Sequence, residues 1–251
     1  MALYRYVKKL PAKPNYPQEA HKKLNPKILA GIFVVVGILF LINAAYPIVS
    51  YQLLVSPRFS QSFISPSSEA AITQSFGGSK SLVLGTEIDL VDLTKASNWF
   101  PEEKTAAFST VETSTGSFLL SIPKLNIYDA LVLVGIEDLK KSLIQYPGTA
   151  EPGRFGNTVI FGHSVLPQFF NPKNYSTIFS TLPTLKPKDE VFITHNQVQY
   201  KYTVEQMIEV EPNDISILAQ RYDDSYLTLI TCVPPGTYLR RLIVRARLTK
   251  I

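Results

Sequence analysis

Residues 28–46 form a run of nineteen residues with no charge and a single amide, Asn43. As a helix, at about 1.5 Å per residue, this run reaches roughly 28 Å, the depth of a bilayer core. It is apolar on every face, so it does not read as one side of a soluble domain. Residues 1–27 carry Arg5, Lys8, Lys9, Lys13, Lys22, Lys23 and Lys27 against one acid, Glu19. That tract is therefore +6 of the chain's +5 total, and the remaining 224 residues sum to −1. Only Arg58 and Lys80 are basic in residues 47–80, so the positive-inside rule puts the N-terminus in the cytoplasm and the rest outside. The 27-residue basic segment is too long for a signal peptide, and Pro47 lies just past the best small-residue site; the run reads as an uncleaved anchor. Residues 1–27 read as a basic tail able to lie against anionic lipid, and a nucleic-acid partner is disfavoured because the external portion is not basic.

The rest divides by composition. Residues 47–115 are rich in Ser and punctuated by Ser65-Pro66 and Gly77-Gly78, so they read as an extracellular stalk. Within it lies the only Trp, Trp99. It is expected to dock the stalk on the folded part, with a lid over a site as the other reading. Residues 116–251 read as a folded domain of short strands, expected at 117–122, 130–134, 158–161, 191–194, 198–204, 226–231 and 241–248. His195-Asn196 is a hairpin signal. Helix is expected only at 136–146 and 214–221. In the last strand Leu242, Val244, Ala246 and Leu248 are expected to face a core, and Arg241, Ile243, Arg245 and Arg247 the outside or a groove. The pattern predicts a mostly β fold, a small and mostly antiparallel barrel.

There is one cysteine, Cys232, which excludes an internal disulfide and a zinc site of several thiolates. It is either a small buried hydrophobe or a nucleophile. It ends a β-prone run and precedes Val233-Pro234-Pro235-Gly236, so the thiol sits where a strand opens into a loop. His163, after Gly162, ends a second strand, and Arg241 opens the strand after the cysteine loop. The spacing alone leaves an inert cysteine and a turn histidine open. His195 reads as a turn residue and His21 as part of the tail. Asp189, Asp223 and Asp224 read as solvated loop acids, and no metal or cofactor is expected.

The local sequence around these residues resembles the sortase family of cysteine transpeptidases. Thr228-Leu-Ile-Thr-Cys232 matches the family's Thr-Leu-x-Thr-Cys motif. Cys232-Val-Pro-Pro-Gly-Thr-Tyr-Leu-Arg-Arg-Leu-Ile-Val244 is similar to its Cys-x-Pro-x-Gly segment running into Arg-Leu-Ile-Val. Pro147-Gly148, then Gly156-Asn-Thr-Val-Ile-Phe-Gly-His163, resembles the segment bearing the family histidine, Ser121-Ile-Pro-Lys124 an early strand, and residues 182–189 a Leu-x-x-Leu-x-x-x-Asp stretch. The resemblance implies an eight-stranded barrel with short helices. It implies Cys232 as nucleophile, His163 as the proton-transfer group and Arg241, rather than its neighbour Arg240, as the oxyanion-stabilising cation; Thr231 is expected to contact substrate. It also implies the partners: surface proteins with a Leu-Pro-x-Thr-Gly-like sorting signal, and an amine acceptor, either a cell-wall precursor or a pilin lysine. A thiol hydrolase of the same fold and a non-enzymatic membrane-anchored β-module are the alternatives.

Overall fold

A computed structural model describes residues 26–59, 94–99 and 116–249. The chain divides into two compact units, residues 1–44 and 45–251. Residues 1–25 of the basic tail and residues 60–93 and 100–115 of the stalk lie outside the described residues.

Helix α1, Pro26–Ser50, contains the apolar run and is long and apolar enough to cross a membrane. Its side chains at 28–46 are exposed throughout, which in water would be costly for so many large apolar groups. Proline is tolerated at its first position because the amides of a first turn have no helical partner.

The second unit is built on eight strands: β1 Ser117–Ile122, β2 Ile127–Val134, β3 Leu143–Gln145, β4 Gly156–Phe161, β5 Glu190–His195, β6 Val198–Val210, β7 Ser225–Val233 and β8 Arg240–Thr249. They close into a barrel in the order β1-β2-β3-β4-β7-β8-β6-β5. Closure leaves no sheet edge exposed. The expected barrel is present, but it is mixed: β2 with β3 and β4 with β7 are parallel. The β5–β6 hairpin turns through Asn196 and Gln197, both at positive φ, with His195 paired to Val198 at its base.

The helix expected at 136–146 does not form. Residues 138–142 turn, and β3 follows, paired with both β2 and β4. All three β3 residues are buried, Leu143 towards the barrel interior and Ile144 towards the outer layer. A short run buried on both faces carries no alternation, so its period cannot separate strand from helix. The helix expected at 214–221 reduces to a 3₁₀ turn, Ile215–Leu218, entered through an Asp214 cap on the Ser216 amide.

Two apolar layers flank β7 and β8. Leu242, Val244 and Ala246 point inwards with Leu227, Leu229 and Val233. Ile230, Cys232 and Ile243 point outwards, beneath Trp99 and Ile217. β7 is therefore buried at all nine positions. That double coverage explains its near-continuous apolar sequence. Parts of the expected stalk take part: Tyr51 and Phe59 join the inner layer, and Ala96 and Trp99 the outer one.

Gly162 follows β4 where two core side chains crowd the backbone. A Cβ there would lie 2.3 Å from Phe179 Cδ2 and 2.7 Å from Leu143 Cδ2. Gly162→Ala is expected to destabilise the domain by about 1–3 kcal/mol, measured by urea unfolding, because both neighbours belong to the packed core.

Candidate functional site

The pairing of the strands decides which side chains meet. In the parallel β4–β7 pair, Phe161 stands opposite Ile230. The two residues that continue β4, Gly162 and His163, therefore travel alongside Thr231 and Cys232. In the antiparallel β7–β8 pair, Cys232 stands directly opposite Arg241. Strand alternation puts both on the outer face. The three residues singled out in the sequence thus gather at one end of three adjacent strands.

Three hydrogen bonds tie the histidine segment to the cysteine strand. Gly162 N donates to Ile230 O at 3.1 Å, Thr231 Oγ1 donates to Gly162 O at 2.8 Å, and Ser164 Oγ donates to Cys232 O at 2.6 Å. On the other side, Phe179 N donates to His163 O and Val165 N donates to Ser180 Oγ. His163 is therefore held from both directions through its own backbone and its neighbours. Thr231, expected to contact substrate, is fully buried, and its hydroxyl is committed to the Gly162 carbonyl. Ser164 was not singled out in the sequence. The only signal for it was a hydroxyl directly after the histidine, and such residues are common in loops.

Trp99 completes the arrangement. Its ring meets the His163 ring edge-on, with centroids 6.1 Å apart, and the Arg241 guanidinium carbon lies 5.2 Å from its centre. A cation over an indole face is attracted by the ring quadrupole. Trp99 also packs edge-on against Phe161. Its segment is pinned by the Ala96 amide donating to Glu137 O and the Leu139 amide donating to Thr94 O. The docking expected of this aromatic is observed, and it covers the ends of the strands that carry His163 and Arg241.

Cys232 is fully buried. Burial pushes its thiol up to about 11, and the positive charge of Arg241 opposes that rise only in part. At pH 7 a thiol of that pKa is roughly one part in ten thousand thiolate, so this arrangement holds the sulfur in its unreactive form. Arg241 is itself 2% exposed. Its Nη1 donates to the Tyr238 and Arg240 carbonyls, while Nε has no acceptor among the described residues. Arg240 points away and pairs with Glu211 at the surface. No cluster of His, Cys, Asp or Glu able to hold a metal occurs among the described residues.

A family model of the sortase domain matches residues 120–249. Sortase A of Bacillus anthracis is 24% identical over 161 residues, covering 63% of this chain and 70% of that protein. Sortase D of Bacillus subtilis is 25% identical over 134 residues, covering 53% of this chain and 62% of that protein, less than two thirds of its length. Among solved structures, a Clostridium perfringens Sortase D5 transpeptidase is similar at 25% identity, over 57% of this chain and 85% of that one, with a TM-score of 0.47.

Two outcomes follow from the burial of the thiol. Trp99→Ala is expected to raise the rate of Cys232 alkylation by iodoacetamide at pH 7 at least several-fold, read by mass spectrometry, because it removes part of the desolvation. Arg241→Met is expected to move the pH midpoint of alkylation upwards, since it deletes a positive charge that favours the thiolate.

Proposed function

The chain belongs to the sortase family, whose members are cysteine transpeptidases, and on that premise we propose that it cleaves a Leu-Pro-x-Thr-Gly-like sorting signal between Thr and Gly and joins the new carboxyl end to an amine at the cell surface. The observation that carries this reading is the meeting of a cysteine, a histidine and an arginine at one end of β4, β7 and β8, two of them on directly paired positions.

In this reading Cys232 is the nucleophile. A sorting signal that displaces Trp99 brings its Thr carbonyl to the sulfur, and His163 takes the thiol proton as the sulfur–carbon bond forms. The tetrahedral oxyanion is met by Arg241, whose Nε is an uncommitted donor and whose charge persists at every working pH. Collapse of the intermediate breaks the Thr–Gly bond. His163 returns its proton to the departing glycine amine, leaving a thioacyl enzyme. An acceptor amine then attacks the thioester, loses a proton to His163 and expels the Cys232 thiolate, forming a new amide. Ser164 and Thr231 act on this scheme as positioning residues, since their hydroxyls hold the histidine loop against the cysteine strand. The acceptor is a cell-wall precursor or a pilin lysine. Residues 28–46 anchor the enzyme, with the basic tail in the cytoplasm against anionic lipid and the barrel outside.

The test is a peptide bearing the sorting signal, incubated with the detergent-solubilised full chain and an amine such as triglycine. A ligated product is expected from the wild type and none from Cys232→Ala. His163→Ala and Arg241→Ala are each expected to lower kcat/KM by about 10²–10³-fold. Cleaved acid as the sole product with amine present would make the enzyme a thiol hydrolase instead. Full turnover by Cys232→Ala would remove the chemistry altogether.

A further inference from the structure

The residues that directly follow α1 are fastened to the barrel, and the point of attachment has an address. Tyr51 Oη donates to Glu209 Oε1 at 2.6 Å, and Ser56 Oγ donates to Glu209 Oε2 at 2.8 Å. One carboxylate on β6 thus accepts from two hydroxyls of residues 51–56, and hydrogen bonds to a charged acceptor are among the stronger ones. Tyr51 and Phe59 are each only 6% exposed and belong to the inner apolar layer. The 3₁₀ turn Ser56–Phe59 packs on β6. This is a clasp, with a polar hook and two aromatic plugs.

The strand registers give its level on the barrel. Glu209 pairs with Leu242, and Leu242 pairs with Thr231. The next rung of the same ladder is Val210, Arg241 and Cys232. The clasp therefore grips the barrel one rung from the cysteine and the arginine. The opposite end of β7, at Ser225, lies seven residues away, roughly 23 Å at the rise of a strand. Moreover, the chain enters at the level of Glu209 with Tyr51 and only then runs to Phe59, beside Gln206 and Met207.

The tether to the apolar run is short. Residues 47–50 alone separate Tyr46 from Tyr51, and that link covers at most about 18 Å even when fully extended. Leu53 and Leu54, in the middle of the clasp, are 70% and 65% exposed. A segment pinned on one side, with two leucines turned out on the other, presents apolar groups where lipid is near. The loops at the same end add exposed Tyr238 and Leu239. Exposed Phe155 and Tyr222 occur towards the other end, so apolar exposure alone does not choose between the ends. The tether does.

We infer that the clasp of Tyr51, Ser56 and Glu209 holds the barrel with the Cys232 end facing the bilayer surface, with Leu53 and Leu54 seated in the lipid interface. The partner of this surface is the lipid–water boundary, and the consequence is a site opened towards groups presented at the membrane rather than towards the medium. The inference rests on residues 28–46 spanning a membrane and is independent of the chemistry assigned to Cys232.

Energy transfer to lipid tests it without any turnover. The full chain, with Cys232→Ser removing the only thiol, receives a single donor-labelled cysteine at Tyr238 beside the site or at Arg154 beside the far end. Each form is placed in nanodiscs of phosphatidylcholine and phosphatidylglycerol containing a headgroup acceptor dye. Transfer from position 238 is expected to exceed that from position 154 by about twofold or more, given their separation along the strands. In Tyr51→Phe with Ser56→Ala, which leaves every barrel residue intact, the difference is expected to shrink. Equal transfer from both positions, or stronger transfer from 154, would overturn the orientation. A difference unchanged in the double variant would overturn the role of the clasp. Failure of the chain to co-purify with the discs would overturn the membrane span on which the inference stands.

Discussion

The parallel pairing of β4 with β7 is the constraint on which the rest of this protein depends. A parallel pair sends both chains out at the same end, so His163 just beyond β4 and Cys232 at the end of β7 become neighbours although 69 positions separate them. Nothing local in either segment demands that meeting. The hydrogen bonds from Gly162, Thr231 and Ser164 convert proximity into a fixed relation. The antiparallel β7–β8 pairing then adds Arg241 opposite the cysteine. A slip of one residue in that register would turn Arg241 to the barrel interior and Leu242 to the site.

Burial has two consequences here. It allows β7 to be packed on both sides, which makes the strand under the site rigid. It also desolvates the thiol and raises its pKa, in the direction opposite to what the proposed nucleophile needs. The two demands are reconciled if the cover can leave. Trp99 belongs to a short segment outside the barrel strands, whose backbone hydrogen bonds include those from Ala96 to Glu137 and from Leu139 to Thr94, and whose Ala96 and Trp99 are buried in the outer layer. The strands beneath it are held by ladders on both sides.

Much of this was legible beforehand. The apolar run of 28–46, the short strands of the barrel and the inward set Leu242, Val244 and Ala246 all follow from period and composition. Ordered motifs marked Cys232, His163 and Arg241. What escaped did so for physical reasons. β3 is three residues long and buried on both faces, so it has no period to detect. Ser164 acts through one hydrogen bond to a backbone 68 positions away. Tyr51 and Phe59 lay in a stretch whose composition is that of a linker, and their docking depends on Glu209, which no local pattern connects to them.

The sequence by itself determined that an apolar run long enough to cross a membrane precedes a β domain, which end of the chain is basic, and which three side chains, Cys232, His163 and Arg241, to look for at one site. These are properties of residue types and of short-range spacing, and they survive without a fold. Only the tertiary structure decided that Arg241 faces Cys232, that Trp99 packs over the layer that holds Cys232, and that the segment after α1 fastens one rung from Cys232 and Arg241. Those relations are set by strand order and register, which come from pairings between distant segments and from the burial that rewards them.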